Sequence, residues 1–421
     1  MQVIDALTVG PRILAPVEMV ESPVWKYKWA SLYSGIRFGE EAKSLELLRR
    51  ARRHWLSHQE QIIVEEDKRL GEWRVHILDT TDYPRAKAAT VPRGYAHSAQ
   101  GMRVGHNLSI LSQRVARGSW TLPLEILLID VGENAGLFGA KQVAEYARRV
   151  GWQPNDILAV DAYYTKAPYL RPMNEVGANV LGRAAANRVF YLPPPPYCGR
   201  GRPPLKGRKI KLNDGRTLPA TDAQEEVNLP DGGTVLISRW DDVRMRGWLS
   251  KRLVLYRVIE YRCDGKARYR RPLWLIYVPT EKVAIPSPAE AAAIYDCRFG
   301  IEHSLRFFKQ ELSLTAAQFN GSDALERIAL WVELVATAYW QLFALRALAD
   351  LQEHSLPSRW RNAKLSPRVV RRIALALFNK FGITSPKPKP RGKSPGRAMG
   401  TRFAPRKRYR VYRKRKRRVI A

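Results

Sequence analysis

Apolar positions along this chain recur in two periods, and the blocks in which each holds mark out the elements. The stretch WRVHILDTT, from Trp73, alternates polar with apolar and sets Val75, Ile77 and Asp79 on one face, as a half-buried strand requires. Residues 104–113 and 121–131 read as a second and a third strand, and residues 139–150 have the period of an amphipathic helix. Residues 156–162, DILAVDA, are a near-continuous apolar run, the mark of a strand covered on both faces. Asp79 and Asp161 therefore fall near the ends of the first and fourth strands.

Beyond Asp161 the pattern predicts a short helix over 163–176 and a further strand in VLGRAAANRVFYL. Residues 193–209 are proline-rich and basic, with no means of forming a core. Strand patterns return in TVLISRW, WLSKRLVLYRVIEY and RPLWLIYVP, so 193–280 reads as a mainly β insertion. Residues 1–70 are expected to be mainly helical, 42–66 above all, and helices are expected over 324–351 and 367–380. The tail 386–421 is basic, without an acid, and is expected to be disordered in isolation.

The stretch 287–312 reads as one long helix with two stripes. Ser287, Pro288 and Glu290 form a capping box with proline at the first helical position. Ile294, Ile301, Leu305, Phe308 and Leu312, at spacings of seven, four, three and four, share a face for burial. About one residue further round lie Tyr295, Arg298, Glu302 and Lys309, a phenol, a carboxylate and two cations. Such i,i+4 pairs also decorate solvated helix faces, so the helix alone leaves both readings open.

Charge narrows the choice. The 421 residues carry 72 Lys and Arg against 39 Asp and Glu, a net charge of +33 and a pI near 10.4, which points to a polyanionic partner, nucleic acid before a membrane surface. Cys198, Cys263 and Cys297 stand far apart, with neither disulfide framework nor zinc spacing. Residues 1–16 lack the basic start of a secretory signal. Residues 328–348 have the length of a membrane span but include Glu333, Gln341 and Arg346, so a buried helix and no membrane is the expectation.

The spacing Tyr295-x2-Arg298-x3-Glu302-x6-Lys309 resembles the Y-R-E-K motif of bacterial insertion-sequence transposases of the IS-four-type group, whose Asp-Asp-Glu triad sits in a ribonuclease-H-like core. The order strand, strand, strand, helix, strand suits that core, in which the first and fourth strands are neighbours. The expected fold is thus α/β: a ribonuclease-H-like mixed-sheet core (71–192 and 281–325) interrupted by the β insertion (193–280), with a helical N-terminal region (1–70), a C-terminal helical region (326–385) and the basic tail. The resembling family carries a β insertion at this same place in the order.

Phosphodiester cleavage and transfer need two charged oxygens held in line, which two divalent ions about 4 Å apart achieve. Asp79, Asp161 and Glu302 are the candidate catalytic residues and ligands for two Mg²⁺ or Mn²⁺ ions. Asp82 is a rival for the first position, and Asp161 is preferred to Asp130 on topology. The resemblance implies that Tyr295 and Arg298 grip phosphates or a displaced base, that Lys309 touches the terminal DNA backbone, and that an insertion tryptophan, among Trp240, Trp248 and Trp274, stacks on a flipped base. Arg200 and Arg202, in GRGRPPLKGRK, resemble a minor-groove hook, with a basic linker as the alternative. His76 and His106 carry no ligand pattern and are expected to be structural. The reading implies transposon-end and target DNA as partners, a homodimer in a synaptic complex, and a cytoplasmic, nucleoid-associated protein.

Overall fold

The computed structural model describes residues 2–27, 31–32, 46–51, 67–98, 101–115, 120–199, 201–280, 284–350, 365–380, 382, 398–402 and 405–413. The chain forms two compact units, one of Glu66–Asp79 with Asn134–Phe299, the other of Met1–Glu65, Thr80–Glu133 and Gly300–Ala421. Most of the helix expected over 42–66, with Lys28, Arg37, Arg52 and Arg53, lies outside the described residues, as does Arg200; residues 46–51 are helical.

The strand β1 (Arg74–Pro84) passes from the first of these units into the second. In the unit holding Asp79, β1 runs parallel to β5 (Asp156–Val160), and β5 parallel to β6 (Asn179–Ala184). All five residues of β5 are buried, which is what its unbroken apolar run requires. Helix α2 (Ala135–Val150) precedes β5, its N-terminus capped by Asn134, whose side chain accepts from the Gly136 and Leu137 amides. Asp156 begins β5 inside a buried knot, with Arg74 Nε at 2.8 Å and His76 Nε2 at 3.2 Å. Burial opposes its charge, but the hydrogen bond from His76 and its neighbours hold the carboxyl below its ordinary range.

The insertion is built on the same sheet edge. β12 (Leu273–Val278) pairs antiparallel with β6, then β11 (Trp248–Tyr261) with β12, and β10 (Thr234–Met245) with β11. β9 (Ala223–Asn228) and β7 (Val189–Tyr191) both line β10, and β8 (Lys209–Lys211) pairs with β7. The single strand expected in VLGRAAANRVFYL is therefore two, β6 and β7, because a turn at 185–188 re-aims the chain from β12 to β10.

In the other unit β3 (Gly101–Arg114) pairs antiparallel with β2 (Gly94–Ser98) and with β4 (Thr121–Ile129). Through β1 the strand order reads β4–β3–β1–β5–β6, the mixed α/β order expected of a ribonuclease-H-like core. Helices α1 (Gln2–Val9), α6 (Ala324–Asp350) and α7 (Pro367–Lys380) pack together, and Trp340 Nε1 donates to Pro123 O of β4 at 2.7 Å. Residues 324–346 are long and apolar enough to cross a membrane, but 78% of that window is buried within the protein. Glu333, its fully buried acid, is met by Arg49 Nε at 2.7 Å, which reconciles the charge with the apolar helix.

The expected continuous helix over 287–312 is two. α3 (Ala167–Glu175) lies earlier in the chain; here α4 (Pro288–Asp296) ends and α5 (Phe299–Gln310) begins across a turn at Cys297 and Arg298. The Arg298 amide bonds to Tyr295 O at 3.1 Å, an i→i−3 tightening that interrupts the α ladder. The capping box is present, and Ile294, Ile301, Leu305, Phe308 and Leu312 are all buried.

Candidate active site

The candidate site grows from the register of two strands. In the parallel pair β1–β5, Leu78 lies opposite Val160. One residue further along come Asp79, within β1 and on the face shared with Ile77, and Asp161, which directly follows the last residue of β5. Both are half-buried. The parallel pairing stops at Leu78 and Val160 while β1 runs on to Pro84, so Asp79 lies mid-strand and not at the strand end expected from the sequence.

The turn between α4 and α5 supplies what faces them. Arg298 Nη1 donates to Asp79 Oδ2 at 3.3 Å, and the Arg298 side chain is 10% exposed. Its guanidinium lies 5.9 Å from the Tyr295 ring and 5.3 Å from the Phe299 ring. Burial pushes the Tyr295 phenol above its ordinary range, with Arg298 and Arg183 pulling it down and Asp161 pushing it up. Tyr295 and Arg298 thus stand beside the two aspartates, although the helix that carries them is broken between Asp296 and Phe299.

Asp82 and Lys309 belong to the other unit and pair with each other, Nζ to Oδ1 at 2.5 Å, with the Asp82 side chain 6% exposed. Asp82 is three residues from Asp79 on one strand, so the two point to opposite faces. Glu302 is exposed on α5. Asp130 follows β4, whose strand partner is β3, whereas β5 lies beside β1.

Asp79 in β1 and Asp161 just after the neighbouring β5 are hard oxygen donors of the kind Mg²⁺ or Mn²⁺ takes. Arg298 now holds one of the Asp79 oxygens. Among the described residues no group of three or more His, Cys, Asp and Glu is placed to hold a metal ion, so the pair is what the geometry brings together.

Two arginines here were not signalled by spacing or period. Arg188 donates to Ala162 O at 3.4 Å and to Thr165 O, bracing the loop that follows Asp161. Arg183 lines a cleft of about 980 Å³ next to that loop, with Ala162, Arg270, Arg271, Trp274 and Phe299. Of the three insertion tryptophans, Trp240 and Trp274 are buried with ring centroids 5.7 Å apart. Trp248 is half-buried, with the Arg171 and Lys251 cations 5.7 and 5.8 Å from its ring. Arg202 is exposed in an irregular segment, the three cysteines are free, and His76 and His106 are buried.

A family model described as a transposase DDE domain matches residues 122–340, just over half of the chain, from β4 to within α6. Asp161 and Glu302 fall inside the match and Asp79 before it. No curated protein matches the chain. Among solved structures the chain is similar to the piggyBac transposase in a synaptic complex with hairpin DNA, at 10% identity and a TM-score of 0.34, over 73% of this chain and 52% of that one. The chain thus spans about half the length of that protein.

Proposed function

Because the chain belongs to the transposase DDE-domain family, we propose that it is an insertion-sequence transposase of the Tyr-Arg-Glu-Lys branch. On this reading it binds terminal inverted repeats, pairs two ends as a homodimer, cuts DNA and joins the freed 3′-OH to target DNA on the bacterial nucleoid. Residues 71–192 and 281–325 form its catalytic core and 193–280 its insertion. The observation that carries the reading is that Asp79, within β1, and Asp161, just after β5, each follow by one step the Leu78–Val160 pair that closes the parallel register.

Asp79 and Asp161, with Glu302 as third ligand, would hold two Mg²⁺ or Mn²⁺ ions, which when bound neutralise charge on the attacking and leaving oxygens. Arg298 balances Asp79 in the DNA-free chain and has the fork geometry to turn onto a phosphate oxygen. Tyr295, kept protonated by burial, stays a hydrogen-bond donor beside it. Lys309 reaches a terminal phosphate once released from Asp82, and Arg200 and Arg202 add backbone contacts from the insertion.

The experiment is incubation of the purified chain with linear DNA bearing the element's ends and a target plasmid, with and without Mg²⁺. The expected result is metal-dependent nicking that leaves a 3′-OH, followed by joining. Cleavage without joining would reduce the reading to a nuclease, and binding without cleavage of any duplex would overturn it.

A further inference from the structure

The basic tail contains an ordered piece. Residues 405–413, PRKRYRVYR, run beside residues 89–93. The Tyr409 amide donates to Ala89 O at 2.8 Å, and the Tyr412 amide to Arg93 O at 2.9 Å. These acceptors lead directly into β2, an end strand of its sheet, where unpaired backbone groups are open to an added segment.

A second feature fixes the register. The ring of Tyr412 lies over Gly132, where a Cβ would stand 2.8 Å from its Cζ. Any other residue at 132 would collide with the ring, and the φ of +94° there also favours glycine. Gly132 in the body of the protein thus leaves room for one tyrosine of the tail.

Docking sorts the side chains of the segment. Tyr409 and Val411 are half-buried, while Arg406, Lys407, Arg408, Arg410, Arg413 and the outer side of the Tyr412 ring are exposed. In extended backbone, alternate residues stand about 7 Å apart, so Arg406, Arg408 and Arg410 form an evenly spaced row. Lys407 is held over the Tyr409 ring at 5.1 Å.

We propose that residues 405–413 are a latched strap that offers this row of cations to the phosphate backbone of duplex DNA. The proposal rests on the DNA-acting reading above. A free basic tail loses its conformational freedom when it binds, whereas a strap already latched has lost it on folding. The latch therefore strengthens DNA binding without adding a charge, and it does so for every sequence alike.

The test compares the full chain with Tyr412→Ala, Tyr412→Phe and the triple variant Arg406→Gln/Arg408→Gln/Arg410→Gln. Hydrogen exchange is read over 405–413, together with binding to a random-sequence duplex across a salt series. In the wild type the Tyr409 and Tyr412 amides are expected to be protected. Tyr412→Ala should lose that protection and bind roughly tenfold more weakly at unchanged net charge, while Tyr412→Phe should match the wild type. The triple variant should keep the protection and lower the salt slope by about three. Unprotected amides in the wild type, undiminished affinity in Tyr412→Ala, or an unchanged slope in the triple variant would each overturn the proposal. Because neither readout involves strand cleavage, a chain that binds through the strap and fails to cut DNA would sink the transposase reading and leave the strap standing.

Discussion

Asp79 accepts a hydrogen bond from Arg298 at 3.3 Å across 219 positions of sequence. The contact fastens the turn between α4 and α5 to the middle of β1, where the parallel pairing with β5 stops. On the proposed reading it also sets a competition, since a metal ion and the guanidinium would seek the same carboxylate. The side chains are 20% and 10% exposed, so water only partly screens the pair.

Replacing the cation should therefore separate metal binding from chemistry. In Arg298→Gln, Mn²⁺ affinity measured by calorimetry should rise several-fold, about 1 kcal/mol for a partly buried pair, while strand cleavage falls at least tenfold. Weaker metal binding in this variant would show that Arg298 supports the metal site and does not compete with it.

Until DNA draws Lys309 away, the Lys309–Asp82 pair should stabilise the fold. Removing the lysine leaves a carboxylate with 6% of its side chain exposed without that partner, which costs about 3 kcal/mol. A double-mutant cycle of Lys309→Met and Asp82→Asn, followed by urea unfolding, should give a coupling energy above about 1 kcal/mol. Asp82→Asn should keep metal binding; loss of it would return Asp82 to the metal site.

His106 provides a pH signature. Burial, reinforced by the charges of Arg85 and Arg93, lowers its pKa to about 4 from an ordinary 6.5. Between those values the unfolded chain takes up a proton that the folded chain refuses, so stability falls as pH drops through this window, by about 3 kcal/mol in all. Among the described residues neither ring nitrogen has a hydrogen-bond partner, so His106→Leu removes no bond to them. Melting temperatures of the wild type and His106→Leu should diverge between pH 4.5 and 6.5 on that account, with the variant showing the flatter profile; parallel profiles would contradict the assignment.

The strand order and the place of Asp161 beside Asp79 were legible because period and burial agree there: an alternating strand, a continuous apolar strand, and an intervening helix leave few topologies. The broken helix was not. Ile294, Ile301 and Leu305 keep helical spacing through the turn at Cys297 and Arg298, and one i→i−3 bond from Arg298 to Tyr295 leaves no trace in a hydrophobic pattern. Lys309 illustrates a different blindness, since charge spacing shows a cation and cannot show that Asp82, 227 positions away, already holds it. The docked tail escaped notice because its anchors are backbone amides and one glycine, while its composition is that of a disordered polycation.

The most direct test replaces Asp161 by cysteine and measures strand cleavage with Mg²⁺ and with Mn²⁺. A thiolate is a poor ligand for Mg²⁺ and a better one for softer ions. If Asp161 holds the catalytic metal beside Asp79, Asp161→Cys should be inactive with Mg²⁺ and recover substantial cleavage with Mn²⁺, while binding DNA like the wild type. Wild-type cleavage by this variant in Mg²⁺ would show that Asp161 is not a metal ligand and that the carboxylate pair is not the active site.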